Sequence, residues 1–291
     1  MRPEIHVVGA AIVKEGKVLA FRRSYGIDSV IHKYEFVGGK VKAGETEPEA
    51  LKRECYEELE AEVAVGDKLA AVVHDYPEYT VELSIYLCRM VSDFVMLEHE
   101  AYSWLDCREL TEDGWAPADA DVLELLRRGV VKFREAETDE DLDTVYALAS
   151  EVMHATFDGI SAAGEVNYML STSLTRDAIH ANEESKEYRY EIIELNGEQA
   201  GFFAYCPGEF FEPEYKGTTY LSKLYLLPFA TGRGIARKVF AALPRPLILD
   251  VKKDNYTAIA VYEHCGFEKI AIYKKDIGGG YGKDGFVMEL K

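Results

Sequence analysis

The stretch GGKVKAGETEPEALKRECYEE, residues 38–58, decides the fold of the first half of this chain. Two glycines open it, and clear helix-start signals follow. Thr46 and Glu49 have the spacing of a capping box, and Pro48 falls in the first turn, where a missing N–H costs little. The stretch therefore predicts a glycine loop that leads into a helix over residues 47–60.

Three glutamates are spaced to share one face of that helix. Glu54, Glu57 and Glu58 stand at positions i, i+3 and i+4, so their carboxylates are neighbours. Like charges this close repel unless a cation lies among them, and oxygen-only ligands favour Mg²⁺ or Mn²⁺. The alternative is a solvated acidic face, which is the usual meaning of a charge run.

The spacing resembles the Nudix box, a signature of hydrolases that act on nucleoside diphosphate linkages. The matching positions are Gly39, Glu45, Arg53, Glu54, Glu57 and Glu58. Departures stand at Val37, Cys55 and Glu60, where the family usually has proline, an aliphatic residue and glycine. Glu60 ends the helix, so a non-glycine C-cap weakens that end without removing a carboxylate.

The resemblance implies a role for each position. Glu57 and Glu58 are expected to be metal ligands, and Glu54 a ligand or the base for the attacking water. The Gly38 carbonyl is expected to be a further metal contact. Arg53 and Glu45 are expected to form an ion pair that ties the loop to the helix. The implied chemistry is metal-assisted hydrolysis, in which Mg²⁺ neutralises the diphosphate and activates water.

Within that family, residues 5–128 resemble the MutT-like nucleotide pyrophosphohydrolases. There a glutamate shortly before a tryptophan reaches the metal site. Glu98 takes that place here, and Glu100 is the competing choice. Arg23, which ends the second strand, is expected to contact phosphate or base, although an arginine at a strand end is often simply solvated.

Asp119 stands where the guanine-oxide-specific enzymes of that subfamily carry asparagine. An ionised aspartate only accepts hydrogen bonds, so it favours a base edge with an exocyclic amino group, as in cytosine. The predicted substrates are CTP, dCTP or an oxidised purine dNTP, cleaved to a nucleoside monophosphate and pyrophosphate. The alternative is that Asp119 only N-caps a helix beginning at Ala120.

The second half contains SKLYLLPFATGRGIARKVF, residues 222–240, where a strand meets a glycine turn and a helix. Free N–H groups at such a helix start can bind a pyrophosphate. Alone, GxGxA is a weak signal. Together with later residues it resembles the GNAT N-acetyltransferases; the matching positions are Thr231 to Ala236, Asn255, Ala258, Tyr262, Gly266 and Phe267. Thr231 departs from the usual Arg or Gln.

That resemblance implies acetyl-CoA as co-substrate. The backbone of Leu226 and Leu227 would pair with pantetheine, Asn255 would contact the cofactor, and Tyr262 would protonate the departing thiolate. The expected pyrophosphate-binding residues are Gly232, Arg233, Gly234, Ile235, Ala236 and Arg237. A small amine, a lysine or a protein N-terminus could be the acceptor. The loop of residues 208–215 mixes carboxylates with aromatic rings, which suits a cationic amine or a solvated loop equally.

A length of 291 residues fits two domains, predicted here as 1–130 and 131–291. The resemblances imply an α/β/α sandwich with a mixed sheet, then a mixed, mostly antiparallel sheet flanked by helices. Thr138 and Asp141 are spaced to cap the first helix of the second domain, and a long helical or loop segment is expected up to residue 184. After the strand at 219–226 and a helix, the order strand, helix, strand is expected to the end.

The formal net charge of −19 argues against bulk nucleic-acid binding, because phosphate-backbone affinity depends on Lys and Arg. Five scattered cysteines fit reduced thiols, and no apolar run is long enough for a membrane span or a signal peptide. A cytoplasmic enzyme is expected. A competing hypothesis makes the first domain a nucleotide-binding sensor that regulates the acetyltransferase; loss of a metal carboxylate would favour it, and none is lost.

Overall fold

The computed structural model describes residues 2–157, 164–184 and 188–291 of the chain. The chain divides into two compact units, as its length suggests. One unit comprises Met1–Lys132 and Leu195–Glu198, and the other Phe133–Glu194 and Gln199–Lys291. Among the described helices, none has both the length and the apolar character needed to span a membrane.

A mixed sheet forms the centre of the first unit. Its strands are β1 (Glu4–Lys14), β2 (Lys17–Arg22), β3 (Tyr34–Glu35), β4 (Val37–Lys40), β5 (Val63–Asp75), β6 (Thr80–Met90) and β7 (Ala101–Asp106). The strand order is β3-β2-β1-β6-β5, with β4 on β1 and β7 on β2. β1 runs parallel to β6 and antiparallel to β2, so the sheet is mixed. β1 and β2 form a hairpin, with its turn at Glu15 and Gly16 in the left-handed region.

Two helices cover opposite faces of this sheet, α1 (Glu47–Leu59) and α2 (Pro117–Arg128). Side chains alternate along β1: Val8 and Ile12 belong to the core under α1, whereas Ala11 and Val13 belong to the core under α2. This alternation buries both faces. The predicted α/β/α sandwich is confirmed.

The capping signals of α1 act as the sequence predicts. Thr46 is the N-cap, its hydroxyl accepts from the Glu49 backbone, and the Glu49 carboxylate accepts from the Thr46 N–H. Glu60 is the C-cap and adopts the left-handed conformation with φ 48°. A non-glycine residue there costs about 1–2 kcal/mol, which the buried face of α1 offsets.

Glu47, at the start of α1, is the centre of a polar network that ties the helix to the sheet. Its carboxylate accepts hydrogen bonds from His6 (2.8 Å), Ser84 (2.9 Å), Tyr86 and Lys68. Burial alone would raise the pKa of Glu47, but these donors outweigh it and hold the pKa at about 2. The ionised form is therefore the one that the fold stabilises.

We expect Glu47→Gln to destabilise the first domain by about 2–3 kcal/mol, because an amide cannot accept from four donors as a carboxylate does. Urea unfolding at neutral pH measures the loss, and Glu82→Gln, an exposed position on β6, is the control. Since the folded pKa lies below the unfolded value, the stabilisation is present above about pH 4.5 and is lost as the pH falls towards 2. Equal stability of both variants at neutral pH would contradict this role.

The second unit has its own layered order. Its strands are β8 (Val131–Glu135), β9 (Arg189–Leu195), β10 (Glu198–Pro207), β11 (Thr219–Leu226), β12 (Leu247–Lys252), β13 (Glu268–Gly278) and β14 (Tyr281–Leu290). Its helices are α3 (Asp139–Phe157), α4 (Glu165–Thr172), α5 (Arg176–Glu184), α6 (Ile235–Ala242) and α7 (Tyr256–His264). The predicted cap of α3 is confirmed, since Thr138 and Asp141 exchange hydrogen bonds. Residues 158–163, within the predicted helical or loop segment, lie outside the described residues.

The second sheet has the order β13-β14-β12-β11-β10-β9-β8. β11 and β12 are parallel, whereas β10–β11, β12–β14 and β13–β14 are antiparallel, which confirms the mixed, mostly antiparallel sheet. One expectation is wrong: two strands, not one, follow α7. Gly278, Gly279 and Gly280 all have positive φ and turn the chain between β13 and β14.

Candidate active sites

The glycine loop of the first unit leaves no room for side chains. β4 pairs with β1, and a Cβ added at Gly38 would lie 2.0 Å from the Val8 carbonyl oxygen. A Cβ at Gly39 would lie 2.5 Å from the Glu54 carboxylate. Glycine at these positions therefore lets the loop backbone lie directly against the sheet and against the glutamates of α1.

Arg53 and Glu45 form the ion pair that the sequence predicts. Arg53 Nε lies 2.6 Å from Glu45 Oε1, and Nη2 lies 3.0 Å from Oε2, which is a bidentate arrangement. The hydrogen bonds from Arg53 and from the Lys42 backbone lower the pKa of Glu45 to about 2. Arg53 also donates to the Lys40 carbonyl, so loop and helix are tied together at two points.

The three predicted carboxylates of α1 are only partly brought together. Arg53 Nη1 lies 2.7 Å from Glu54 and 3.0 Å from Glu57. Glu58 is not one of these Arg53 partners and is only 9% exposed. Within the described ranges, no three His, Cys, Asp or Glu side chains are already arranged to hold a metal ion. Mutual repulsion explains this spread, since the arginine can neutralise only its nearest neighbours.

Glu58 is the most perturbed carboxylate of the three. Burial raises its pKa to about 8, and the charges of Glu98, Glu35 and Glu54 add to that rise. Its Oε2 is buried and has no hydrogen-bond partner. A buried oxygen without a partner among several carboxylates is costly unless a cation completes it. The residues present therefore fit a divalent cation at this point.

Glu98, and not Glu100, belongs to this cluster. Glu98 contributes the largest charge effect on Glu58, and its Oε2 accepts from the Tyr25 hydroxyl at 3.3 Å. Glu100 instead pairs with Arg22 at 2.8 Å and with His32 at 3.0 Å. The competing choice thus lies in a separate ion-pair group.

Two residues that the sequence analysis did not select complete the cluster. Glu35 accepts from Arg23 Nη1 at 2.7 Å and contacts His99 Nε2 at 3.2 Å. His99 Nε2 also lies 3.7 Å from Glu58 Oε2, and its ring is 7% exposed. Arg23 is therefore paired with Glu35, and its side chain stays 33% exposed. In the sequence, these two residues were indicated only by their positions: Glu35 lies just before the glycine loop, and His99 directly follows Glu98.

Asp119 is a buried carboxylate on the third residue of α2. The helix begins at Pro117 with Ala116 as N-cap, so the interpretation of Asp119 as an N-cap is wrong. Its Oδ1 accepts from the Phe36 N–H at 3.1 Å, which places it beside Glu35. Burial, followed by the charge of Glu35, raises the pKa of Asp119 to about 7. It is therefore not firmly ionised near neutral pH.

The glycine turn of the second unit precedes α6. Gly232 has φ 71°, Gly234 has φ 70° and is the N-cap, and open space lies where their Cβ atoms would be. Lys238 N–H is bonded to the Gly234 carbonyl, so the amides of Ile235, Ala236 and Arg237 precede the first helical bond. The Thr231 hydroxyl donates to the Pro228 carbonyl and stabilises the turn.

β11 and β12 pair only at their beginnings. The paired residues run from Thr219–Leu247 to Leu221–Leu249, and the strands diverge beyond them. The Leu227 N–H donates to the Ala200 carbonyl of β10, so this amide is already used inside the sheet. Because successive backbone groups point to opposite edges, Leu226 presents its N–H to the gap. The Leu226 N–H therefore stays a candidate donor to pantetheine, whereas the Leu227 N–H is already bonded to Ala200.

Asn255 and Tyr262 both belong to α7. Asn255 is the N-cap, and its Oδ1 accepts from the Ala258 N–H at 3.1 Å, so this oxygen stabilises the start of α7. Tyr262 packs its ring on Phe240 and Phe267. Burial and the charge of Asp250 raise the pKa of Tyr262 to about 12, which keeps its hydroxyl protonated and able to donate a proton.

Two family models match separate parts of the chain. The NUDIX domain model matches residues 4–126, and the Acetyltransferase (GNAT) family model matches residues 163–267. A CTP pyrophosphohydrolase of Escherichia coli is 35% identical over 124 residues, covering 41% of this chain and 89% of the relative. A putative 8-oxo-dGTP diphosphatase 2 of Mycobacterium tuberculosis is 36% identical over 121 residues, covering 39% and 81%.

Among solved structures, the paia N-acetyltransferase of Thermoplasma acidophilum in complex with coenzyme A is 18% identical, covers 56% of this chain and 99% of its own, and gives a TM-score of 0.43. The family assignment itself rests on the matched domain models and on the Escherichia coli relative. The chain is therefore an enzyme that belongs to the Nudix hydrolase family through its first domain and contains a GNAT acetyltransferase domain later in the sequence.

Proposed function

We propose that the first domain, residues 1–130, hydrolyses a nucleoside triphosphate to a nucleoside monophosphate and pyrophosphate with Mg²⁺ or Mn²⁺. The observation that carries this proposal is the environment of Glu58. Its buried Oε2 has no hydrogen-bond partner, and the charges of Glu98, Glu35 and Glu54 act on it. Such a cluster needs a cation. The expected ligands are Glu54, Glu57, Glu58, Glu98 and the Gly38 carbonyl.

When bound, Mg²⁺ would supply charge neutralisation of the diphosphate and activation of water. The protein side chains do the positioning. Arg53 holds Glu54 and Glu57 together, and these two carboxylates would be among the ligands of a bound divalent cation. Glu54, which lies against the Gly39 backbone, is the candidate base for the attacking water. Arg23, paired with Glu35, is placed to contact phosphate or base.

The base is proposed to lie at Asp119. The relatives are named for CTP and for 8-oxo-dGTP, and both bases present hydrogen-bond donors that a carboxylate can accept. A panel of nucleoside triphosphates with Mg²⁺, read by pyrophosphate and phosphate release, tests the activity. Tight nucleotide binding without any release of pyrophosphate would support the sensor hypothesis and overturn hydrolysis.

We propose that the second domain, residues 131–291, transfers acetyl from acetyl-CoA to an amine. The neutral amine nitrogen attacks the thioester carbonyl carbon, a C–N bond forms, and the C–S bond breaks. The departing thiolate takes the Tyr262 phenol proton, and the amine loses its extra proton to solvent or a base. The turn at Gly232 to Arg237 would bind the pyrophosphate, and the Leu226 amide and Asn255 would contact other parts of the cofactor.

We expect Gly234→Asp to weaken acetyl-CoA binding to the full chain by about tenfold or more, because a carboxylate would face the pyrophosphate in the N–H cradle. Gly217→Asp is a matched control, since Gly217 also has positive φ and open space around its Cβ position. Calorimetry with acetyl-CoA measures both. Equal affinities of the two variants would argue against the turn as the pyrophosphate site.

A further inference from the structure

Asp250 lies where the second sheet opens. The last paired residues of the parallel strands are Leu221 and Leu249, and Asp250 is the next residue of β12. It is half-buried, as are Tyr225 on β11 and Tyr262 on α7. A carboxylate at the start of a gap between two diverging strands is open to a ligand that enters the gap.

Aromatic side chains surround this carboxylate. The hydroxyls of Tyr220 and Tyr273 donate to Asp250, one to each oxygen. Phe211 stacks on Tyr220 with ring centroids 4.5 Å apart and meets Tyr273 edge-on at 6.2 Å. Both tyrosines hold the carboxylate in place, and the rings add faces of negative potential around it.

The charge of Asp250 reaches the proposed proton donor. After burial, it is the next cause of the raised pKa of Tyr262 and also of Tyr225. Asp250 and Tyr262 also belong to consecutive elements, β12 and α7, and both are half-buried. An amine that attacks a thioester must arrive beside the Tyr262 hydroxyl.

The neighbouring surface is suited to positive charge. Tyr188 packs in the same cluster as Tyr220 and Phe211, and Lys223 Nζ lies 5.0 Å from the Tyr188 ring centroid. Glu214 and Glu212 lie on the loop at the rim, where their charges, after burial, raise the pKa of Tyr215. A second positive group on a ligand would meet these carboxylates.

We propose that Asp250, Tyr220, Tyr273 and Phe211 form the acceptor site, which binds an aliphatic primary amine as its ammonium ion; the ammonium loses one proton to solvent before the neutral nitrogen attacks the thioester. The rim glutamates select an acceptor with a second cationic group over one with a carboxylate. This assignment rests on the proposed acetyltransferase activity and names its acceptor class. The competing explanation is that Asp250 only fixes two tyrosines.

Three probes of equal chain length separate these ideas: putrescine, butylamine and γ-aminobutyrate, each assayed with acetyl-CoA on the full chain. We expect kcat/KM to fall in that order. Asp250→Asn should lower kcat/KM for putrescine by about thirtyfold or more, chiefly through KM, because a buried charge partner is lost. CoA affinity by calorimetry should stay within about twofold of wild type. Glu268→Gln, an exposed carboxylate on β13, is the control.

A second variant does not depend on the buried carboxylate. Glu212 and Glu214 are exposed, so the double change to glutamine leaves the core intact. It should reduce the preference for putrescine over butylamine by about fivefold, since two rim charges are removed. An unchanged preference would contradict the selection of a second cation.

The outcomes separate the two levels of the proposal. If wild type binds CoA and acetylates amines but Asp250→Asn behaves like Glu268→Gln, the acceptor site is wrong and the acetyltransferase activity stands. If Asp250→Asn loses CoA affinity together with amine turnover, Asp250 only supports the tyrosines and the acceptor site is again wrong. If wild type neither binds CoA nor acetylates any probe, both proposals are overturned.

Discussion

Replacing Glu58 by glutamine is expected to lower nucleotide hydrolysis by about a hundredfold to ten-thousandfold, because metal-centred charge stabilisation is worth several kcal/mol. Glutamine keeps the shape of the side chain but removes the charge that a cation would need. The assay is pyrophosphate release from a nucleoside triphosphate with saturating Mg²⁺. Glu62→Gln, an exposed position just beyond α1, is the matched control.

A second readout separates a metal ligand from a structural carboxylate. Above pH 8, where the buried Glu58 carboxyl ionises although its Oε2 has no hydrogen-bond partner, glutamine should raise the melting temperature of the metal-free protein. Mg²⁺ should then raise the melting temperature of wild type more than that of the variant. Full turnover in Glu58→Gln, or an equal response of both proteins to Mg²⁺, would exclude Glu58 as a ligand. Glu57→Gln is expected to lose turnover in the same way.

The local part of this site could be predicted from the sequence. The start of α1 and its capping box depend on residues within one turn, where spacing determines geometry, and the pairing of Arg53 with Glu45 was implied by the resemblance to the Nudix box. Gly38 also has a local reason, because its backbone lies so close to β1 that no side chain fits at this position. Local spacing also predicted the turn before α6, with its two glycines at positive φ.

The tertiary part could not be predicted in this way. Glu35 and His99 are 64 positions apart, and only the sheet brings them together. The choice between Glu98 and Glu100 depended on which face of an irregular segment turned inward. Helical spacing also does not indicate the partners of each carboxylate: Arg53 pairs with Glu54 and Glu57, whereas Glu58 is buried and is affected by the charges of Glu98, Glu35 and Glu54.

Asp119 shows how burial changes a chemical argument made from residue type. The sequence argument took its carboxylate as ionised, and therefore as an acceptor only. Burial and the charge of Glu35 raise its pKa to about 7, so the protonated form can both donate and accept, as asparagine does. The base preference is thus expected to depend on pH, which residue identity alone did not indicate.

We expect wild type to hydrolyse dCTP, or a 5-substituted dCTP, better than 8-oxo-dGTP above pH 7, where Asp119 is ionised and accepts from an exocyclic amino group. The preference should shrink as the pH falls through 7. Asp119→Asn should shift the ratio towards 8-oxo-dGTP by about tenfold to a hundredfold and remove its pH dependence, since an unmet buried polar group costs about 1–3 kcal/mol.

The raised pKa of Asp119 also makes the stability of the fold depend on pH. Since the folded pKa of about 7 exceeds the ordinary value of 3.8, the protonated carboxyl stabilises the fold below that ordinary value, and the contribution is lost as the pH rises through 7. Asp119→Asn, which stays neutral, should therefore be the more stable protein at pH 8, and the difference should narrow in acid. Thermal unfolding at both pH values tests this without any substrate.

Paired kcat/KM values for dCTP and 8-oxo-dGTP, measured across pH 6 to 9 for both proteins, decide whether Asp119 reads the base, because any titration of the metal ligands affects both substrates and cancels in the ratio. Glu112→Gln, at an exposed position before α2, controls for a general change in charge. A wild-type preference for 8-oxo-dGTP of tenfold or more would refute this description of the pocket. A ratio that does not change with pH in wild type, together with an unchanged ratio in Asp119→Asn, would place the base elsewhere and leave Asp119 with only its hydrogen bond to the Phe36 backbone.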